Sequence, residues 1–585
     1  MKSSAVVVAA ALALTAAAAA AAAVLGGYDR VAHLLIVAAG KPHQEAAFKA
    51  AYFTRAIYTA LIAALVAAAI AAGWSAYWIG SRFDRIAAAV RAQRPAASAA
   101  LAAVLGRFRA LDPVTKASLA LVVVLQIGWC VRRAATLPVT YDEAWTFMNF
   151  TMRPVFASVT YYPAPNNHVL FSVLSNAAPL LPLDPMFGMR LISVGFAVLT
   201  TIVLCAIALR YWDETAVVVA LALFVCAYPI AVYAVLARGY MMIVFFTAVC
   251  CGAVAAGVSE PRPSVPVLIA YVASAVLGFY TIPLFLYPFA SVNAAKYVYA
   301  AATRRPLRAW LIADVTVTIA TVVLYTPIVL VNGVGALTAN VYVARSPLPV
   351  AIAQLPERLV VMGNWLLGAD HGGLTIVLAI VAASLTLRWR TGGPAGFMEK
   401  AMAAVVLLPP VILIAHRTNP QQRTWAYLAV PLFFVALGLI ELAIQAGRRG
   451  GLRARWLLPL VVAAVVFAGM PPVDHRFARD FVEDFDAEQL FAGIPAASIG
   501  SIAHDQMVQP YDVPQYFADI LAYRAQRQRR DPVRTERVTG DRAVDADALV
   551  LSTDGASRVS NLRDYTEWRR NQDLVVYLRR SFSTR

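Results

Sequence analysis

Long apolar runs alternate with short polar segments along the chain, and this pattern predicts a bundle of membrane-spanning helices. Residues 316–335 and 402–415 each contain no charged side chain. A helix needs about 20 apolar residues to cross the ~30 Å hydrocarbon layer, although polytopic proteins accept shorter spans. About thirteen runs qualify, or about twelve if the first is a cleaved signal peptide, which its length slightly disfavours. The runs are 4–25, 57–78, 117–131, 188–209, 215–232, 238–257, 265–280, 283–300, 310–331, 373–388, 401–415, 425–445 and 456–471.

The composition supports an integral membrane protein and excludes a nucleic-acid-binding one. Of 585 residues, 60% are hydrophobic and 14% are charged, whereas a soluble domain carries roughly 25% charged residues. The net charge of +17 comes from short segments between apolar runs, where the positive-inside rule places cations on the cytoplasmic side. The cysteines lie in or beside apolar runs and show no disulfide or metal-binding spacing. They are Cys130, Cys205, Cys226, Cys250 and Cys251.

A basic segment fixes the predicted orientation of the bundle. Residues 82–116 contain seven Arg and Lys residues against two Asp residues, which marks this segment as cytoplasmic, and it also suits a basic amphipathic helix at the lipid surface. Counting spans from there places segments 134–187, 333–371 and the tail from 472 outside the cytoplasm. Later basic loops agree with this count, whereas the adjacent Arg132-Arg133 pair falls at an outer span end.

The polar tail predicts a small α/β domain after the bundle. A helical stretch at 513–527 lies among short apolar runs that read as strands, namely 498–503, 548–551 and 574–578. The predicted domain organisation is an N-terminal part, a membrane bundle and an extracytoplasmic domain, at 1–116, 117–471 and 472–585.

Two adjacent acids, Asp142 and Glu143, follow the first span of the predicted bundle within the sequence Thr140-Tyr141-Asp142-Glu143-Ala144-Trp145. Acidic residues at a helix N-terminus are favourable in themselves, so a purely structural role is one interpretation. The other interpretation is general base chemistry, in which a carboxylate takes a proton from an acceptor hydroxyl. Position alone does not separate the two.

Further motifs follow the acidic pair in order, namely Asn166-Asn167-His168-Val169-Leu170-Phe171, Met189-Arg190-Leu191-Ile192-Ser193, Ala237-Arg238-Gly239-Tyr240 and Gly278-Phe279-Tyr280-Thr281. With the acidic pair, this set resembles the motifs of C-type (GT-C) membrane glycosyltransferases, including family-39 protein O-mannosyltransferases and lipid A aminoarabinose transferases. The resemblance covers about 135–285, with a looser match at 427–431. Val169-Leu170 replaces a Pro-Pro pair of that family and Ile192 replaces a proline, which leaves the acceptor open.

The resemblance implies an all-α polytopic GT-C bundle of about eleven core spans, besides two N-terminal spans and the small α/β domain. It further implies an inverting glycosyltransferase, which moves sugar from a polyprenyl-phosphate donor to a hydroxyl of an envelope lipid, glycan or protein. Asp142 would be the catalytic carboxylate, and Glu143 would support it or bind acceptor. The implied setting is a multi-pass protein of the inner (plasma) membrane, with its site on the extracytoplasmic or periplasmic face.

The phosphate of such a donor favours arginine ligands on the same side of the membrane. The candidates are Arg238, Arg417 and Arg423, although Arg238 at a span end also suits snorkelling to the interface. Candidates for binding acceptor or sugar are Tyr162, Asn167 and His168.

Metal dependence stays open at this point, because some C-type enzymes hold a divalent metal with the first-loop acids and others do not. No His/Cys cluster of metal-binding spacing occurs in the sequence.

Two other function classes stay open as well. A transporter or flippase of lipid-linked sugars would place charged residues near the bilayer midplane. The acids within core runs, Asp314 and Glu441, instead lie near span ends. An inactive scaffold for envelope assembly would keep the fold without needing Asp142.

Overall fold

The computed structural model describes most of the chain outside the basic cytoplasmic segment. The described residues are 2–38, 45–63, 65–67, 69–70, 73–74, 77, 102–162, 165–258, 260, 262–338, 345–388, 393–418, 420–449, 455–505, 513–529, 533–538, 543–552, 555–571 and 574–582. The predicted amphipathic helix lies largely outside them, and so does most of the second half of the predicted run 57–78. Within 82–116, residues 102–110 are helical.

Helices occupy the apolar runs, which confirms the predicted polytopic helical fold. Within the described residues, eight helices are long and apolar enough to cross a membrane, or up to nine if a bent pair forms one span. The N-terminal helix is Lys2–Ala38. The bundle helices are Pro113–Thr136, Pro185–Ala208, Glu214–Val225, Tyr228–Val235, Tyr240–Gly257, Val265–Thr281, Leu286–Ala302, Arg308–Asn332, Gly373–Leu387, Gly393–Leu407, Pro409–His416, Ala429–Arg449 and Leu458–Asp480.

Asp-Pro steps begin the two helices that flank the first predicted outer loop. The Asp112 carboxylate accepts hydrogen bonds from the amides of Val114 (2.9 Å) and Thr115 (3.0 Å), just before helix Pro113–Thr136. Asp184 accepts one from Phe187 (3.0 Å) before helix Pro185–Ala208. An aspartate cap satisfies backbone donors that have no intrahelical acceptor, and proline fits the first helical position because it lacks that donor.

The run predicted as one span at 215–232 is bent in the structure. Helices Glu214–Val225 and Tyr228–Val235 meet at 61°. Pro229 lies in the first turn of the second helix, where its ring cannot continue the hydrogen-bond ladder of the first. The second helix therefore takes its own direction and delivers the chain to Arg238.

Short helices fill the two predicted outer loops of the bundle. The first loop contains Tyr141–Thr146, which we call the acidic helix, followed by the π-helical turn Phe147–Thr151. Its other helices are Val155–Thr160 and Val169–Ser175. The second loop contains Gly335–Thr338, Leu348–Ala353 and Leu355–Leu367.

Arg132 and Arg133, the two cations at a predicted outer span end, have an acidic partner. Arg132 and Arg133 lie at the end of helix Pro113–Thr136, and Asp474 of the last bundle helix lies 3.5 Å from the Arg132 guanidinium and 3.0 Å from that of Arg133. The pairing offsets the cost of placing these cations on that side.

The tail folds into a helix–sheet unit, as the apolar runs predicted. Helices Val482–Leu490 and Val513–Arg529 accompany five strands in the order β2-β1-β3-β5-β4. β1 is parallel to β2 and β3, and β5 is antiparallel to β3 and β4. The strands are β1 (Ser501–His504), β2 (Arg534–Arg537), β3 (Ala548–Ser552), β4 (Tyr565–Arg570) and β5 (Leu574–Arg579). The sequence did not indicate β2 and β4, because both are edge strands of largely polar residues.

Candidate active site

The acidic helix carries its two carboxylates in opposite environments. Thr140 precedes the helix, and its amide donates to Oε2 of Glu143 (3.0 Å), an arrangement that stabilises a helix start. The Glu143 side chain is fully buried, whereas 21% of the Asp142 side chain is exposed. The neighbours of each carboxylate therefore indicate its role.

Glu143 ties the acidic helix to the membrane bundle. Its carboxylate accepts from Arg190 through Nη2 (2.7 Å) and Nε (2.9 Å), and from the Ala237 amide (2.7 Å). Arg190 also donates to the carbonyls of Ala134, Leu137 and Pro138. Burial acts to raise the pKa of Glu143, but the Arg190 charge and these hydrogen bonds lower it overall. This geometry favours an anchoring role, and the expected part of Glu143 in catalysis stays a prediction.

Asp142 faces two guanidinium groups at the solvent-accessible side of the acidic helix. Nη1 of Arg423 lies 2.5 Å from its Oδ2, and Nη2 of Arg238 lies 3.7 Å from the same oxygen. Burial alone would raise the pKa of Asp142, but the charges of Arg238 and Arg423 hold that pKa below its ordinary value. The carboxylate is therefore ionised at neutral pH and is able to accept a proton.

His168 and Arg238 place several hydrogen-bond donors beside Asp142. The Gly239 amide donates to Nδ1 of His168 (2.9 Å), so the neutral ring carries its proton on Nε2. Burial, together with the charges of Arg238 and Arg423, lowers the pKa of His168 well below its ordinary value. Nε2 of His168 lies 3.2 Å from Nη2 of Arg238, and both nitrogens are hydrogen-bond donors.

One donor of Arg238 finds no acceptor within the described part of the chain. Its guanidinium donates to Oγ1 of Thr146 (3.0 Å), and to the carbonyls of Asp142 and Asn166 (both 3.3 Å). The buried Nε–H has no partner there. Buried donors are nearly always paired in native proteins. Nε of Arg238 and Nε2 of His168 together suit an incoming anionic oxygen.

A polar cleft opens beside Arg423. Its cavity volume is about 850 Å³, which is within the range of small-molecule sites. Arg423, which is 32% exposed, joins the cleft to the Asp142 carboxylate. The other charged residues that line the cleft are Glu357, Arg358, Asp370, Arg476 and Asp480.

Two predicted residues brace the first loop with their side chains. The Asn167 amide nitrogen donates to the carbonyls of Ser158 and Tyr161 (both 2.9 Å), and its oxygen accepts from Ser172 (2.8 Å). The buried Tyr162 side chain packs in a small apolar cluster with Tyr325. Their expected contacts with acceptor or sugar stay predictions, because both side chains are buried within the protein.

Arg417 lies apart from the predicted group. It is half-buried and its carbonyl accepts from the Ser346 amide (2.7 Å), whereas the charges that lower the pKa of Asp142 are those of Arg238 and Arg423. The structure thus brings Arg238, Arg423 and His168 to Asp142, without placing Arg417 among them.

Sequence reasoning missed Arg358 and Arg476, which approach the cleft from the second loop and the last bundle helix. Arg476 donates to the Ala369 carbonyl (2.5 Å) and its guanidinium lies over the Tyr228 ring. Arg476 follows the predicted outer end of a span, where the positive-inside rule disfavours cations, and this position could have indicated a functional role from the sequence.

The donor set around Asp142 does not favour a divalent cation. Both first-loop acids are paired with arginine, so a metal would have to displace guanidinium groups. Among the described residues, no group of three or more His, Cys, Asp or Glu residues could hold a metal ion. The question of metal dependence stays open.

Comparisons with known proteins identify the fold. No family model and no curated protein sequence matches the chain. The chain is similar to the crystal structure of ArnT from Cupriavidus metallidurans bound to undecaprenyl phosphate, with a TM-score of 0.52 and 14% identity over 79% of this chain and 97% of ArnT. The apo ArnT structure gives a TM-score of 0.51 and 14% identity, over 80% and 98%. The archaeal oligosaccharyltransferase AglB from Archaeoglobus fulgidus also matches, with a TM-score of 0.41 and 9% identity over 75% and 69%.

The two ArnT matches confirm the predicted GT-C fold of the chain. At 14% identity the similarity concerns the fold, and it leaves the chemistry to be argued from the site itself.

Proposed function

We propose that this protein is an inverting membrane glycosyltransferase that moves a sugar from a polyprenyl-phosphate donor to an acceptor hydroxyl. The observation that carries the proposal is the placement of the ionised Asp142 carboxylate between Arg238 and Arg423, the second of which also lines a polar cleft. A base and a phosphate-binding cation set must lie together for this reaction. ArnT, which has a similar fold, was solved with undecaprenyl phosphate, and this supports a polyprenyl carrier.

In the proposed reaction, Asp142 takes the proton of the acceptor hydroxyl while the oxygen of that hydroxyl attacks C1 of the sugar. The bond from C1 to the phosphate oxygen breaks, and the polyprenyl phosphate leaves with the electron pair. Arg238 and Arg423 stabilise the charge on that phosphate, and Nε2–H of His168 donates to one of its oxygens. His168 acts here as a neutral donor, because its pKa lies well below the ordinary value.

Donor binding would also prepare the base. Without donor, Arg423 is paired with Asp142 at 2.5 Å. A phosphate placed between the guanidinium groups would share their charge, and the pKa of Asp142 would rise toward the range in which a carboxylate is a more effective base. The arginines therefore link arrival of the donor to activation of the acceptor.

The proposed setting is the inner membrane of a prokaryote, with the cleft on the extracytoplasmic face. The acceptor would enter through the cleft of about 850 Å³, which has room for a sugar or the polar end of an envelope lipid or protein segment. The positive-inside rule, which predicts that the basic loops lie in the cytoplasm, supports this orientation.

The test is sugar transfer by the purified protein in proteoliposomes, with a panel of undecaprenyl-phosphate sugars and an envelope extract as acceptor. We expect Asp142→Asn to lower transfer by about 10²–10⁴-fold, with binding of undecaprenyl phosphate at least as tight as in wild type, because the arginines lose a competing anion. Arg238→Gln should weaken that binding.

Full activity of Asp142→Asn would refute its role as base. Movement of labelled donor across the bilayer without transfer would replace the proposal by a flippase function.

A further inference from the structure

The residues after the last bundle helix contact both ends of the acidic helix. We infer that Asp484 and Tyr523 are positioning residues, through which the C-terminal domain sets the orientation of the helix that carries Asp142. The kinetic part of this inference rests on the proposed function, whereas its structural part does not.

The first contact is at the N-terminus of the acidic helix. Oδ1 of Asp484, in helix Val482–Leu490, accepts a hydrogen bond from the Tyr141 amide at 3.1 Å. The first amides of a helix have no intrahelical acceptor, and a carboxylate there also complements the positive end of the helix. Asp484 is buried, and its partner Tyr141 immediately precedes Asp142. The bond therefore restrains the backbone next to the proposed base.

The second contact is at the other end of the acidic helix. The ring of Tyr523 meets Phe147 edge-to-face, with 4.9 Å between centroids, and Phe147 directly follows the helix. Both side chains are almost fully buried. The Tyr523 hydroxyl has no hydrogen-bond partner among the described residues, so packing of the ring is its contribution. Two residues of the C-terminal domain thus hold the acidic helix at both ends.

A third contact joins the C-terminal domain to the next bundle helix. Arg527 lies on the same helix as Tyr523 and forms an ion pair with Asp184, the residue that caps helix Pro185–Ala208. That bundle helix carries Arg190, the partner of Glu143. The C-terminal domain therefore contacts both the acidic helix and the element that anchors it.

The acidic helix depends on such contacts because it is short. It has six residues, whereas isolated helices below about 12–15 residues are marginal in water. The Glu143–Arg190 pair fixes one side of it, and the C-terminal contacts fix both ends. A displacement of about 1 Å at a reacting group can cost about 10²-fold in rate.

The experiment compares variants at Asp484 in the full-length protein in nanodiscs. Asp484→Ala should lower kcat about tenfold with donor KM within about twofold of wild type, since the phosphate-binding arginines lie on other elements. Asp484→Asn keeps a carbonyl oxygen for the Tyr141 amide and should restore most of kcat. Asp486→Ala is the matched control, because Asp486 is an exposed acid on the same helix. Hydrogen exchange of the peptide that spans residues 140–147 supplies a readout independent of catalysis, and this peptide should exchange faster only in Asp484→Ala.

A second pair of variants tests the ring contact. Tyr523→Phe keeps the ring and should match wild type in kcat and in exchange of 140–147, whereas Tyr523→Leu should lower kcat and speed that exchange. Wild-type exchange in both Asp484→Ala and Tyr523→Leu would overturn the inference, as would equal losses in Asp484→Asn and Asp484→Ala. If the wild-type protein transfers no sugar, the proposed function fails. Faster exchange in Asp484→Ala and Tyr523→Leu would then still support the structural inference.

Discussion

Replacing Glu143 with glutamine separates anchoring from catalysis at the acidic pair. Glu143 is fully buried, and Oε1 and Oε2 accept from two nitrogens of Arg190 and from the amides of Ala237 and Thr140. Glutamine keeps one acceptor oxygen, but it puts an NH₂ group among these donors and leaves the Arg190 charge buried without its partner. Removing one member of a buried ion pair costs about 3–5 kcal/mol. We expect Glu143→Gln to lose that much free energy of unfolding.

The matched variant is Asp142→Asn at the neighbouring position. Asp142 and its partner Arg423 are both partly exposed, with 21% and 32% of their side chains accessible. Solvent screening reduces the value of such a pair to about 1 kcal/mol. The second partner, the buried Arg238, lies farther from Oδ2, at 3.7 Å, and keeps its hydrogen bonds to Thr146 and to two carbonyls. Asp142→Asn should therefore unfold nearly as wild type does while losing sugar transfer, whereas Glu143→Gln should lose stability first.

Unfolding of the purified variants by SDS titration measures both effects, with transfer assayed below the unfolding transition. In a double-mutant cycle, Glu143→Gln with Arg190→Gln should cost less than the sum of the single variants, because neither then leaves a buried charge unpaired. A Glu143→Gln protein that unfolds at the wild-type SDS concentration but transfers no sugar would refute the anchoring role. It would instead support the catalytic one.

Two more predictions follow from the phosphate-binding side of the site. A Cβ at Gly239 would lie 2.6 Å from Thr281 Cγ2 and 3.2 Å from Nδ1 of His168, so Gly239→Ala should cost about 1–3 kcal/mol of stability and weaken binding of undecaprenyl phosphate. Gly195→Ala is the control, because a Cβ there meets no atom within 4 Å. Equal binding of undecaprenyl phosphate by the two variants would contradict the role of His168 in binding phosphate. Arg423→Gln removes a charge that lowers the pKa of Asp142, so the acid limb of the kcat/KM profile should move to higher pH. A limb that stays in place would exclude Asp142 as the titrating group.

The sequence predicted the bundle well because the bilayer imposes a strong local signal. Every spanning segment must be apolar over its length and must satisfy its own backbone hydrogen bonds, so the runs coincide with helices such as Pro185–Ala208. The bend between Val225 and Tyr228 was not predicted, because both halves are apolar and a hydropathy window does not detect a change of direction.

The site was predictable only where its residues lie in the ordered motifs. Asp142, His168 and Arg238 come from those motifs and meet in space. Glu143 and Asp142 are adjacent in sequence, yet helix geometry turns them in different directions, one toward Arg190 and the other toward Arg423. Sequence proximity therefore did not distinguish the buried anchor from the accessible carboxylate.

Contacts between distant parts of the chain were beyond the reach of the sequence. Asp484 is separated from Tyr141 by almost the whole bundle, and no local pattern links an acid of the tail to one amide of the first loop. Such pairings come from tertiary packing, which single-sequence periodicity does not encode.

The ion pairs of Arg132 and Arg133 with Asp474 bear on how the protein enters its membrane. Ribosomes make the first bundle helix long before Asp474 exists, so in the predicted orientation the translocation machinery would carry two unpaired cations across the bilayer against the usual charge bias. The stronger cluster of cations before that helix would then have to hold its other end in the cytoplasm until synthesis reaches the last span. In the predicted orientation, we therefore expect insertion in two stages, first by competition between the charges at the ends of one helix and later by pairing of Arg132 and Arg133 with Asp474.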